Sequence, residues 1–116
     1  MFRITKRIEI SASHQLSLDY DSKCTNLHGH NWIILVTCES AELNSSGMVF
    51  DFTHIKHTVE QMLDHQDITN RIVIDGKQVN PTAENIALFI AQCIGDICVR
   101  VQVQESEGNV AEWSSK

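Results

Sequence analysis

The chain has 116 residues, 42% of them hydrophobic, with 9 basic against 15 acidic side chains and a formal net charge of -6. That length fits one domain spanning residues 1–116 with enough apolar content for a core. The acidic balance argues against general nucleic-acid binding, and no run of about 18 apolar residues offers a membrane span. Met1 to Arg7 lacks the apolar stretch of a signal peptide, so a cytoplasmic location is expected. The cysteines Cys24, Cys38, Cys93 and Cys98 match no disulfide framework and no C-x-x-C pair. Cys38, Cys93 and Cys98 fall in apolar segments and are expected as small buried residues, whereas Cys24 stands in a polar segment beside histidines.

In chain order, residues 2–14 alternate as a strand: Phe2, Ile4, Ile8, Ile10 and Ala12 share one parity, and His14 continues it. Residues 17–26 are polar and turn-rich, hence a loop. Residues 28–39 read as a second strand, with Trp32, Ile34, Val36 and Cys38 on the parity of His28 and His30. A turn over 42–47 leads to a helix from about Asp51, with Phe52, Ile55, Val59, Met62 and Leu63 at helical spacing and Asp64-His65 at its end. Residues 71–79 hold Asp75-Gly76 between short apolar runs and read either as a small hairpin or as an irregular loop. Thr82 caps a second helix whose stripe is Ile86, Phe89, Ile90, Cys93 and Ile94, and Gly95 is placed to end it. Ile97, Val99, Val101 and Val103 alternate along a third long strand with Glu105 on the same parity, and Val110 to Trp113 pairs back after a turn. The order is strand, strand, helix, helix, strand, strand.

The chemistry concentrates in Cys24-Thr25-Asn26-Leu27-His28-Gly29-His30. Histidines one residue apart on a strand put both imidazoles on the same side. Polar strand side chains facing water are the plain reading; with His14 aimed inward they become three imidazoles, a set that suits zinc with an open fourth position. A Cys24 ligand would instead close the site as a structural zinc. Cys24 reads either as an incidental thiol or as a base that takes a proton from a metal-held substrate. Asp64-His65 reads either as a helix terminus, where histidine suits the dipole, or as an imidazole oriented by a carboxylate for proton relay. His54 and His57 lie off the apolar stripe and are read as surface residues. Glu105 is either a strand-end charge in water or a carboxylate that pairs with the N–H edge of a pterin or guanine.

Several segments together resemble the 6-pyruvoyl-tetrahydropterin synthase/QueD family. They are Ser11-Ala12-Ser13-His14, Cys24-x-x-x-His28-Gly29-His30, Gly47-Met48-Val49-Phe50-Asp51-Phe52, Leu63-Asp64-His65, Asn80-Pro81-Thr82-Ala83-Glu84-Asn85 and Gln104-Glu105-Ser106. The resemblance implies that His14, His28 and His30 bind Zn2+, that Cys24 is the catalytic base, that Asp64 and His65 form its relay and that Glu105 anchors the pterin. It implies an α+β tunnelling fold (T-fold), a four-stranded antiparallel sheet with two helices on one face, assembled as trimers paired into a homo-hexamer with active sites at subunit interfaces. The three residues between Cys24 and His28 resemble the QueD type, since the animal pyruvoyl enzymes have a longer gap and a related folate-pathway type has glutamate for the cysteine. The implied activity is a zinc-dependent carbon–carbon lyase that converts 7,8-dihydroneopterin triphosphate to 6-carboxytetrahydropterin, acetaldehyde and triphosphate in 7-deazaguanine (preQ0/queuosine) biosynthesis. The alternatives are the 6-pyruvoyl synthase reaction, or a pterin- or purine-binding zinc module without catalysis. Gln15 stands where many members carry a basic residue, so the triphosphate contacts have no assigned residues.

Overall fold

Alternation of apolar and polar side chains builds the two longest strands, β1 (Phe2–His14) and β2 (His28–Ser40), in a computed structural model that describes residues 1–116. They pair antiparallel along their full length, from Phe2 opposite Ser40 to His14 opposite His28. The buried parity carries Ile8, Ile10, Ala12 and His14 on β1 and Trp32, Ile34, Val36 and Cys38 on β2. Arg3, Thr5, Arg7, Glu9 and Ser11 face out on the other side. Phe2 shares the apolar parity yet is 49% exposed, because nothing covers that end of the sheet.

Helix α1 (Phe52–Leu63) starts where the Asp51 carboxylate accepts from the Thr53 backbone N–H at 2.8 Å. It buries Ile55, Val59 and Leu63, while Phe52 in its first turn stays exposed, outside the stripe its spacing suggested. The chain then lays the two-residue strand β3 (Gln66–Asp67) parallel to β1 beside Ala12 and Ser13. Segment 71–79 is a hairpin: β4 (Val73–Ile74) and β5 (Lys77–Gln78) are joined by Asp75 and Gly76, at φ 53° and 77°. Positive φ at both central residues is what a two-residue turn between right-twisted strands demands.

Helix α2 (Ala83–Ile94) is capped by the Thr82 hydroxyl, which accepts from the Asn85 N–H at 3.1 Å, and ends at Gly95 with φ 106°. It buries Ile86, Ala87, Phe89, Ile90 and Ala91. Strands β6 (Cys98–Ser106) and β7 (Asn109–Ser114) complete an order β3-β1-β2-β6-β7, in which the four long strands are antiparallel. Helix α1 packs on β1 and α2 on β6 and β7, so both sit over the apolar face. The fold is α+β with the order ββααββ that the alternation and spacing give, and the short strands are additions to it.

Two details differ from simple periodicity. Cys93 is exposed rather than buried: it lies at the open end of a groove between α1 and α2 lined by Met62, Leu63, Phe89 and Ile90. The alternation from Ile97 is broken as well. A bulge pairs Thr37 with Arg100 but Cys38 with Cys98, so Cys98 and Val101 are buried and Val99 is only half-buried. The extra residue turns the start of β6 so that the small thiol of Cys98, and not Val99, meets Cys38. No helix is long and apolar enough to cross a membrane.

Ile34 lies fully buried at the centre of the sheet. Ile34→Ala is expected to cost about 2–5 kcal/mol in a urea unfolding titration; a loss below about 1 kcal/mol would mean that this face is not the core.

Candidate metal centre and active site

The β1–β2 register builds the site. His14 stands directly opposite His28, and His30 sits two pairs further along, opposite Ala12. All three are on the parity that faces the helices, and His14 is completely buried. Trp32, next on that parity, forms the floor: its ring meets His14 and His30 edge-on with centroids 4.9 and 5.1 Å apart. Its indole N–H donates to the Ala12 carbonyl at 3.1 Å, which holds the ring in place.

Hydrogen bonds fix which nitrogen of each ring points inward. His14 Nδ1 lies 2.8 Å from the Pro81 carbonyl, and His28 Nδ1 lies 2.7 Å from the Asn26 carbonyl. A carbonyl only accepts, so each Nδ1 carries its proton and each neutral ring turns an Nε2 lone pair inward. Those two Nε2 atoms are 3.0 Å apart. His30 Nε2 is buried without a hydrogen-bond partner. Burial holds the His30 imidazole below its ordinary pKa, against the pull of Glu105 and with a further push from His14 and His28.

Glu105 completes the cluster. Its Oε1 lies 3.1 Å from His14 Nε2 and 3.3 Å from His30 Nε2. One ligand atom from each of His14, His28, His30 and Glu105 lies within 4.8 Å of every other. Lone pairs facing one another at such distances repel, and an orphaned buried nitrogen is costly. A divalent cation resolves both, and imidazole with carboxylate is a donor set that zinc accepts. A proton could satisfy one such contact but not the convergence of four donors. The residues therefore fit a metal.

Cys24, Asp64 and His65 are not members of this cluster. Cys24 is half-buried in a single 3-10 turn (Lys23–Thr25), and its sulfur is outside the four-donor cluster. Its loop is tied down on both sides: Leu16 N–H donates to the Cys24 carbonyl at 3.0 Å, and the Gln15 amide to the Thr25 carbonyl at 2.9 Å. Asp64 caps α1, accepts from the Ser11 N–H at 2.9 Å and stands 3.5 Å from His65 Nε2. His65 has φ 59°, a left-handed backbone rare for a side chain of this kind, and its ring is 83% exposed. It borders a polar depression of about 540 Å³ lined by Ser11, Ser13, Gly29, Asn31 and Asp67, among others. His54 and His57 are exposed on α1, as read from their spacing.

The sequence reading gave Thr82 a capping role but none at the site to Asn80, Pro81 or Asn85, and the structure supplies one. The Pro81 carbonyl, left free just before α2, sets the tautomer of His14. Asn80 clamps Ser17 from both sides, accepting from its N–H at 2.9 Å and donating to its carbonyl at 3.0 Å. The Asn85 amide in turn donates to the Asn80 carbonyl at 2.9 Å. The only signal was the motif itself, because no spacing rule links position 81 to position 14.

With this geometry in hand, comparison with known proteins places the chain. Two curated proteins that carry 6-carboxy-5,6,7,8-tetrahydropterin synthase in their names are similar to it. The one from Pyrococcus horikoshii is 46% identical over 63 residues, which span 54% of this chain and 39% of that one. The one from Rickettsia bellii is 34% identical over 108 residues, covering 78% of each chain. The solved structure of Caenorhabditis elegans 6-pyruvoyl tetrahydropterin synthase superposes with a TM-score of 0.76 at 22% identity, over 99% of this chain and 96% of that one, and so shares the fold. The family described as 6-pyruvoyl tetrahydropterin synthase matches residues 3–116, and the chain belongs to it.

Proposed function

We propose that this protein is a zinc-dependent 6-carboxy-5,6,7,8-tetrahydropterin synthase. It would convert 7,8-dihydroneopterin triphosphate and water to 6-carboxytetrahydropterin, acetaldehyde and triphosphate on the route to 7-deazaguanines such as preQ0 and queuosine. The observation that carries the reading is the convergence of the His14, His28 and His30 lone pairs with the Cys24 thiol left outside. A thiol in the cluster would have meant a closed structural site; a thiol beside it is free to carry protons. The names of the relatives supply the substrate class.

His14, His28 and His30 hold the zinc. When bound, zinc supplies a Lewis acid for oxygens on the substrate side chain. Cys24 takes and returns the proton at the reacting carbon, within a loop that backbone hydrogen bonds keep in place. Asp64 orients the His65 imidazole for proton exchange. Glu105 is the carboxylate offered to the pterin. The exposed His65 ring and the separate Cys24 loop agree with a homo-hexamer, a dimer of trimers, in which subunits complete one another's sites. Nothing in this reading requires a membrane or nucleic acid, and a cytoplasmic location fits it.

The second reading is the 6-pyruvoyl synthase reaction, favoured by the fold match to an enzyme of that name. It releases triphosphate but keeps every side-chain carbon. Incubation with 7,8-dihydroneopterin triphosphate, followed by mass spectrometry of the pterin, separates the two. Loss of a two-carbon fragment as acetaldehyde is the expected result, and a product that retains all the carbons would replace the proposal with the second reading.

Cys24→Ala is expected to keep stoichiometric zinc while kcat falls by about 10²–10⁴, the range of a lost acid–base group. Zinc lost together with turnover would show instead that the thiol is a ligand. His28→Ala is expected to lose the metal, as measured by elemental analysis of the purified protein.

A further inference from the structure

We infer that Glu105 is itself a ligand of the metal in the substrate-free protein, closing the fourth position that substrate must open. This rests on the zinc reading above and goes beyond it, because three imidazoles alone would leave that position to water.

The first argument is distance. Four ligands placed tetrahedrally at zinc bond lengths of about 2.0–2.1 Å lie about 3.3–3.4 Å from one another. The separations here are 3.0 Å between His14 and His28, 3.1 Å between His14 and Glu105 and 3.3 Å between His30 and Glu105. Glu105 is thus about as near to His14 and His30 as His14 is to His28, and all four ligand atoms lie within 4.8 Å of one another. A carboxylate that reached the metal only through a water molecule would sit further out.

The second argument is the absence of hydrogen. His14 Nε2 has no proton to give Glu105, because the proton is on Nδ1 facing Pro81. His30 Nε2 makes no hydrogen bond either, although Oε1 is 3.3 Å away. The carboxylate therefore meets His14 Nε2 and His30 Nε2 at close range without a hydrogen bond to either, and a shared cation at that point is attractive to all three.

The third argument is the backbone. Pairing of β2 with β6 reaches Gln104 and stops, and on the other side a bulge between Gln104 and Ser106 leaves Glu105 without a partner on β7. Bulges next to sites re-aim a side chain. Here the bulge frees Glu105 from both ladders while strand parity keeps it turned inward. His14, by contrast, is paired with His28 at the end of β1 and is completely buried. Of the four donors, Glu105 is the one built to let go, and an oxygen ligand is the kind that substrate oxygens exchange with.

The test uses metal binding rather than turnover. Apo protein and its variants, each checked for folding by circular dichroism, are titrated with Zn2+ against a chelator, and the Co2+-loaded forms are exposed to azide, which binds an open metal position. The expected result is that Glu105→Ala and the isosteric Glu105→Gln both bind Zn2+ more than about tenfold more weakly. Their Co2+ forms take up azide with a change in the visible spectrum, and the unaltered protein does not. Unchanged Zn2+ affinity in both variants, or azide uptake by the unaltered Co2+ protein, overturns the inference. His28→Ala separates the two levels. If it loses Zn2+ while both Glu105 variants keep full affinity, the three-imidazole centre stands and only the role of Glu105 falls; if it retains Zn2+, the centre falls and the inference with it.

Discussion

Buried imidazole nitrogens that have given their protons to carbonyls on the far side of the ring cannot hydrogen-bond to one another. His14 and His28 face each other at 3.0 Å in that condition, and His30 stands beside them without a partner. A protein interior does not keep such a cluster for stability, since each lone pair left unanswered costs free energy that a hydrophobic residue would not. The cluster is able to bind a cation, and the residues around it hold those rings in that orientation. Pro81 and Asn26 do it through their carbonyls, and Trp32 does it by packing.

The fold supplies this with few parts. An antiparallel pair with His14 opposite His28 brings two rings together across strands, and period two along β2 adds the third. The turn into α2 then delivers the Pro81 carbonyl to the buried side of His14. Because Asn80 also grips Ser17, the start of α2 and the loop that carries Cys24 are coupled to one clamp. The candidate metal ligands, their outer hydrogen bonds and the proposed base are thus linked through a few residues just before and within the first turn of one helix.

The candidate metal cluster has His14 completely buried and His28, His30 and Glu105 half-buried. His30 also lines the polar depression that has His65 at its rim, so the depression and the cluster are adjacent. His65, directly after the C-cap Asp64, takes a left-handed backbone, a common way for a helix to end, and its ring is exposed.

Much of this was legible beforehand. Alternation gave the long strands, helical spacing the two helices, and strand parity the inward aim of His14 and Glu105, because these depend on periods that repeat along the chain. The same logic failed where the period is interrupted: the bulge at Val99, the exposed Cys93 at the open end of a groove, and the left-handed turn at His65. The choice between hairpin and loop at 71–79 stayed open in the sequence for the same reason, since only pairing across the turn settles it. The sequence by itself determined which residue types could take up a metal, and on which parity they lie. Only the tertiary structure decided that Pro81, 67 residues away from His14, fixes its tautomer, and that the Glu105 carboxylate lies against the imidazoles while the Cys24 sulfur does not join them. Those outcomes depend on contacts between distant segments, which follow from how the sheet and helices pack and leave no period in the chain to read.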